Sequence, residues 1–155
     1  MECVSTVSYS LVMNGKSTPR FCPTRGLKQG DPLSLYLFLF GVDVLYRMIK
    51  NKVQTKSLVG LKLNKYCPKL THLFFADDSL FLFFKAKVNC IRMAFCVHDY
   101  CCASRQMVNL EKSSIVFSDN TPQEVKTEIE RCLRIQVAAN SGMFLGISFF
   151  WGKTR

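Results

Sequence analysis

Helical stretches alternate with short strand-and-turn segments along this chain, a pattern that predicts the α+β class. Three observations carry the prediction. Asn14-Gly15 separates two β-rich stretches, which is hairpin chemistry. A long apolar stretch opens at Gly30-Asp31-Pro32, which is helix-start chemistry. The aromatic run from Leu73 to Phe84 is broken only by Asp77-Asp78-Ser79, so two strands flank a turn.

From the N-terminus, Val4 to Asn14 alternates Ser and Thr with Val, Tyr and Leu, predicting a strand that enters a turn, with Phe21 to Thr24 as its return. In Arg25-Gly26-Leu27-Lys28-Gln29-Gly30-Asp31-Pro32, Asp31 fits an N-cap and Pro32 the first helical position, whose missing N–H costs nothing there. The helix should reach about Lys52. Leu58 to Asn64 reads as a short strand, and Pro68 precedes the acidic hairpin. From about Lys87 to Ser104 the pattern is helical, with Ile91, Phe95, Val97 and Tyr100 as the core face. Met107 to Phe117 is a turn leading into a strand, Thr121-Pro122-Gln123-Glu124 opens a helix to about Leu133 with capping-box spacing, and Met143 to Phe149 is a final strand. No repeats or low-complexity stretches occur.

Asp77 and Asp78 need a reason. Ionised carboxylates inside an apolar run are costly to desolvate unless paired or bound to metal. Neighbours on a continuous strand point to opposite faces, so the two acids serve one site only if the chain turns there, and Asp-Asp-Ser supplies the turn. A hard cation with oxygen ligands, Mg²⁺ or Mn²⁺, then suits the pair. The competing reading is a hairpin tip whose acids simply face water. Upstream, Gly26 and Gly30 let backbone approach a ligand closely, with Arg25, Lys28 and Gln29 in reach of phosphate or base edges; the alternative is an ordinary loop and cap.

The whole chain sets bounds. Its 155 residues suffice for one domain or part of one, 48% are hydrophobic, and 21 Lys and Arg against 11 Asp and Glu give a net charge of +10. That excess favours a polyanionic partner, nucleic acid or an anionic membrane face. The basic residues are scattered, through Lys50, Lys52, Lys56, Lys62, Lys65 and Lys69 among others, which suits a groove more than a tail. The longest apolar run, Leu33 to Tyr46, carries Asp43 and falls short of the ~20 residues of a membrane span, so no membrane segment is expected. Met1 to Ser5 lacks the pattern of a secretory signal. Eight cysteines without framework-like spacing point to reduced thiols in a cytosolic or nuclear setting. Cys90, Cys96, His98, Cys101 and Cys102 cluster in sequence but lack paired C-x-x-C knuckles, so buried apolar cysteines are favoured over zinc.

Taken in order, these segments resemble the palm of a reverse transcriptase of the non-LTR, LINE-type retrotransposon class, most closely its plant versions. Val4 to Ser10 through Asn14-Gly15 resembles the stretch before the family's second palm motif, and Arg25 to Ser34 matches that motif, RGxxQGDPLSP. Phe75-Ala76-Asp77-Asp78 matches the [FY]ADD box, Asn109 with Lys112-Ser113 matches NxxKS, and Phe144-Leu145-Gly146 resembles YLG. The resemblance implies that residues 1–155 are a partial reverse transcriptase domain: a partial polymerase palm, with a ferredoxin/RRM-like antiparallel sheet and packed helices, lacking the N-terminal motif strand, fingers and thumb. It implies Asp77 as ligand of catalytic Mg²⁺ (or Mn²⁺), Asp78 in support, Gln29 and Gly30 against incoming nucleotide and template, and Lys112 near the leaving pyrophosphate. RNA template, DNA primer and dNTP would be the partners.

The chain departs from the family in two places. The family's further metal-binding aspartate, in an FDxxKAFD-like segment, has no counterpart, and Glu2, Asp31 and Asp43 are the only acids before Asp77. Leu35 stands where the family usually has Pro. A leucine there continues the helix easily, so it is the missing aspartate and its strand that lead to the expectation of weak metal binding, little or no polymerase activity alone, and an unpaired sheet edge with exposed apolar surface. The rivals are a non-catalytic nucleic-acid-binding remnant of a retrotransposon and an unselected remnant without a biochemical role.

Overall fold

A computed structural model of the chain describes residues 6–24, 26–28, 30–84, 86–138, 143–144 and 147–148. The chain runs β1 (Val12–Met13), β2 (Lys16–Ser17), α1 (Pro32–Gln54), β3 (His72–Phe75), β4 (Asp78–Phe81), α2 (Ala86–Ser104), β5 (Ser114–Ile115), α3 (Gln123–Leu133), β6 (Gln136–Val137), β7 (Met143–Phe144) and β8 (Ile147–Ser148). This is the expected α+β class. The strands form two-stranded pieces, β1-β2, β3-β4, β5-β6 and β7-β8, rather than one antiparallel sheet among the described residues, and β5 pairs β6 in parallel.

Asn14 (φ 51°) and Gly15 (φ 77°) both take positive φ, as a primed two-residue turn demands, and set Val12 opposite Ser17 and Met13 opposite Lys16. The return strand therefore starts directly after the turn, earlier than Phe21 to Thr24; Phe21 adds a single bridge to Tyr9. In the expected strand Leu58 to Asn64, Leu61 alone pairs, bridging Leu70.

Asp31 caps α1 by accepting from the Leu33 N–H at 2.9 Å, with Pro32 in the first turn. The inner stripe of α1, Leu45 and fully buried Ile49, meets Met93, Cys96 and Tyr100 of α2 and Leu58 from the connection. Phe74, Phe81 and Phe83 close over this core from the hairpin side. The core face of α2 is thus Cys90, Met93, Cys96 and Tyr100, while Phe95, expected inside, is 66% exposed. Helix α3 packs on α2 through buried Ile129, and Lys87 pairs with Glu128 at 2.7 Å.

Two boundary expectations change. Pro122 is the N-cap residue of α3 and no side chain caps it, so the capping box does not form; Thr121 Oγ1 lies 3.2 Å from Ser118 Oγ instead. The expected final strand is two short ones, with Met143 opposite Ser148 and Phe144 opposite Ile147; Phe149 lies outside the described residues.

Helix α1 also corrects the reading of the apolar run. It extends past Tyr46 to 23 residues, and its most apolar 18-residue stretch, with a mean hydropathy of 1.4, passes by length and composition as one that can cross a membrane. Its own chemistry explains the apolarity in part: one stripe enters the core, and the Asp43–Arg47 pair, 2.7 Å apart, interrupts the rest. Leu35, Tyr36, Leu39 and Phe40 form an uncovered apolar face among the described residues, with Leu35 in helical conformation as expected.

Candidate functional site

The β3-β4 ladder pairs His72 with Phe81, Leu73 with Leu80, Phe74 with Ser79 and Phe75 with Asp78, leaving Ala76-Asp77 as a two-residue turn. The turn therefore lies one residue earlier than Asp-Asp-Ser: Asp77 is at the tip and Asp78 opens the returning strand. Ala76 stands at φ 48°, where the turn asks for a positive φ and a Cβ is strained. With one acid in the turn and the other at the first ladder position, strand alternation does not hold them apart.

Alternation sorts the rest of the ribbon. His72, Phe74 and Phe81 face inward, where the Phe74 and Phe81 rings meet edge to face at 6.1 Å and His72 stacks near Phe74 at 4.6 Å. Leu73, Phe75, Asp78 and Leu80 share the other face, on which Phe75 is 61% exposed. No further strand flanks the ladder among the described residues, in line with the expected unpaired edge. Both carboxylates are exposed, and no described side chain forms a hydrogen bond or ion pair with either.

The base of the ribbon is fixed by Asn89, a residue that pattern reading passed over. Its Oδ1 accepts from the Val59 N–H at 3.1 Å and its Nδ2 donates to the Phe84 carbonyl, so one buried amide ties the entry and exit chains of the hairpin to α2. Gly60 sits against the same junction: a Cβ there would lie 2.6 Å from the Leu70 carbonyl oxygen. A lone Asn inside a helix gives no sequence signal of such a role.

In the upstream loop, Gly26 (φ 87°) and Gly30 (φ 82°) require glycine for conformation, and the space beside each Cα is open. Gly26 and Lys28 line a shallow recess with Tyr9, Asp31, Ser34 and Leu37, so the first hairpin and the start of α1 wall it. Arg25 and Gln29, expected at this site, lie outside the described residues.

Lys112 is exposed on a turn that Asn109 builds: Asn109 Oδ1 accepts from the Lys112 N–H at 3.2 Å and Ser113 Oγ donates to the Asn109 carbonyl at 2.7 Å. The NxxK-S spacing is thus a self-hydrogen-bonded turn delivering β5. No hydrogen bond or ion pair joins Lys112 to Asp77 or Asp78.

The cysteine cluster divides, with half-buried Cys101 between its inner and outer members. Cys90 and Cys96 are buried, and burial, with Cys132 nearby, pushes the Cys90 thiol up to about 11, while Cys102 and His98 face outward. No group of three or more His, Cys, Asp or Glu side chains able to hold a metal occurs among the described residues. Asp77 and Asp78 supply an all-oxygen donor set that fits a hard divalent cation completed by substrate phosphates and water.

A family model described as "Reverse transcriptase (RNA-dependent DNA polymerase)" matches residues 2–149. An uncharacterized mitochondrial protein of Arabidopsis thaliana is 38% identical over 68 residues, which are 44% of this chain and 56% of that protein. The match thus spans little more than half the length of that relative.

Proposed function

The chain belongs to the reverse transcriptase (RNA-dependent DNA polymerase) family, and from that membership we propose that residues 1–155 are a partial polymerase palm of LINE-type retrotransposon origin, with the acidic hairpin as its nucleotidyl-transfer site. The observation that carries this reading is that Asp77 in a tight turn and Asp78 beside it are exposed and have no partner among the described residues, above strands anchored in the core by Phe74 and Phe81.

In this reading Asp77 and Asp78 hold Mg²⁺ or Mn²⁺, with Asp77 as the principal ligand. Cations held there would supply activation of the primer 3′-hydroxyl and neutralisation of charge on the leaving pyrophosphate. The chain's own groups do the rest. The open backbone at Gly26 and Gly30 admits nucleotide and template, Arg25, Lys28 and Gln29 bind and orient them, and the Lys112 ammonium neutralises or protonates the departing group. RNA template, DNA primer and dNTP are the proposed partners.

The family's pattern takes a further aspartate, and no third group joins Asp77 and Asp78 among the described residues, so the pair alone is proposed to hold such cations weakly. The 155-residue chain alone is therefore proposed to be inactive. Primer extension on an RNA template with Mg²⁺ or Mn²⁺ tests this: no product is expected, and robust extension abolished by Asp77→Ala would overturn it. The metal site has its own test. Mn²⁺ should broaden amide NMR signals of the Phe75 to Ser79 turn in the wild-type chain and not in Asp77→Asn/Asp78→Asn; equal broadening in both would sink the site.

The second reading, a non-catalytic nucleic-acid-binding remnant, draws on the +10 net charge. It requires salt-sensitive binding that Asp77→Ala leaves intact.

A further inference from the structure

Between Arg47 and Asp77 the chain has no acidic residue, yet it carries Lys50, Lys52, Lys56, Lys62, Lys65 and Lys69, all exposed. Asp43, the acid just before this stretch, is engaged by Arg47 at 2.7 Å. Half of these cations, Lys62, Lys65 and Lys69, sit on one loop closed at its base by the Leu61–Leu70 bridge. The loop is shaped rather than slack: Asn64 Oδ1 accepts from the Tyr66 N–H at 3.4 Å and the Cys67 N–H donates to the Asn64 carbonyl at 3.1 Å. At its tip Tyr66 is 82% exposed, and the Lys65 ammonium lies over one face of its ring, 4.8 Å from the centroid.

We infer that loop 62–69 is a docking surface for single-stranded nucleic acid, with Tyr66 stacking an unpaired base and Lys62, Lys65 and Lys69 contacting phosphates. A tyrosine this exposed contributes nothing to the core, and its second ring face is open to a base. The lysines supply the cations that backbone tracking needs, without a local acid to offset them. The loop joins β3 directly, so it and the acidic turn lie at opposite ends of the Leu70 to Asp77 segment, no more than roughly 25 Å apart. This places a strand contact on the same ribbon as the proposed transfer site, on whose nucleic-acid reading the inference rests. An anionic bilayer would attract the same charge, but the ammonium held over Tyr66 would have to enter the interface with the ring.

Fluorescence anisotropy of the full 155-residue chain with a labelled oligouridylate tests the inference, beside sedimentation with phosphatidylserine-containing vesicles. Tyr66→Ala should weaken oligonucleotide binding about tenfold, while Tyr66→Phe stays within about twofold, because stacking needs the ring and not the hydroxyl. Replacing Lys62, Lys65 and Lys69 together by Gln should flatten the slope of log affinity against log salt by about two. Circular dichroism confirms that these exposed variants fold. Wild-type affinity in Tyr66→Ala would overturn the inference, as would absent oligonucleotide binding by the unmodified chain, or vesicle binding that alone depends on Tyr66. Lys28→Gln separates the two proposals: if it weakens binding while the loop variants do not, the glycine-framed loop stands and loop 62–69 falls.

Discussion

The two hairpins of this protein have turns of the same length built from opposite materials. Asn14-Gly15 places at both positive-φ positions residues that accept them, and its strands, Val12–Met13 and Lys16–Ser17, are exposed throughout. Ala76-Asp77 puts an ordinary Cβ at φ 48°, next to two carboxylates with no partner among the described residues, while its strands are pinned by Phe74, Phe81 and the Asn89 amide. The first turn favours its own conformation. The second is held in place by what lies beneath it, the arrangement expected where local strain and charge serve a site.

Anchoring is the part of this contrast with the largest expected effect. Phe81→Ala should cost about 2–3 kcal/mol in urea unfolding, because it opens the hairpin side of the core, whereas Val12→Ala, on a residue 74% exposed, should stay within about 0.5 kcal/mol. Asn89→Ala should cost about 2 kcal/mol by leaving the Val59 N–H and the Phe84 carbonyl without their partner. Equal costs in the two hairpins would break the comparison.

The turns themselves should respond with opposite signs. Ala76→Gly removes the strained Cβ and should stabilise the fold by about 0.5–1 kcal/mol, while Asn14→Ala introduces that strain and should destabilise it by about the same amount. A destabilising Ala76→Gly would mean that the second turn is not under strain.

The same contrast explains what was legible in the sequence. Turn and cap chemistry is local, so Asn14-Gly15, Asp31-Pro32 and the existence of an acidic hairpin are readable from neighbouring residues. Which stripe of a helix faces the core is not local. In α2 the apolar residues surround the helix, and small cysteines at 90 and 96 fill the interface in place of Phe95. Thr121 had the spacing of a cap, but it is turned toward Ser118, a preference only the fold decides. Around the candidate site, the positive-φ glycines and the acid-bearing turn were readable because each residue type has few reasons to stand where it does. Asn89 was not, because its partners are 30 residues away and at a chain turn that no periodicity encodes.

The smallest effect is one of pH, and it also belongs to the second hairpin. His72 opens β3 with its ring beside Phe74 and edge-on to Tyr46 at 5.5 Å, and with Nδ1 2.9 Å from Thr71 Oγ1. Burial disfavours the imidazolium and lowers the His72 pKa below its ordinary 6.5. The unfolded chain therefore takes up the proton first as pH falls. The stability from a neutral His72 is fully present above about 6.5 and declines below it, levelling off once the folded-state value is passed. Thermal unfolding followed from pH 7.5 downward should show a fall beginning near 6.5 that His72→Phe removes, whereas Lys16→Gln in the first hairpin leaves it unchanged. An undiminished fall in His72→Phe would move the acid sensitivity away from the ribbon that carries Asp77 and Asp78, and with it the claim that burial beneath this hairpin, rather than its turn, holds the acids in position.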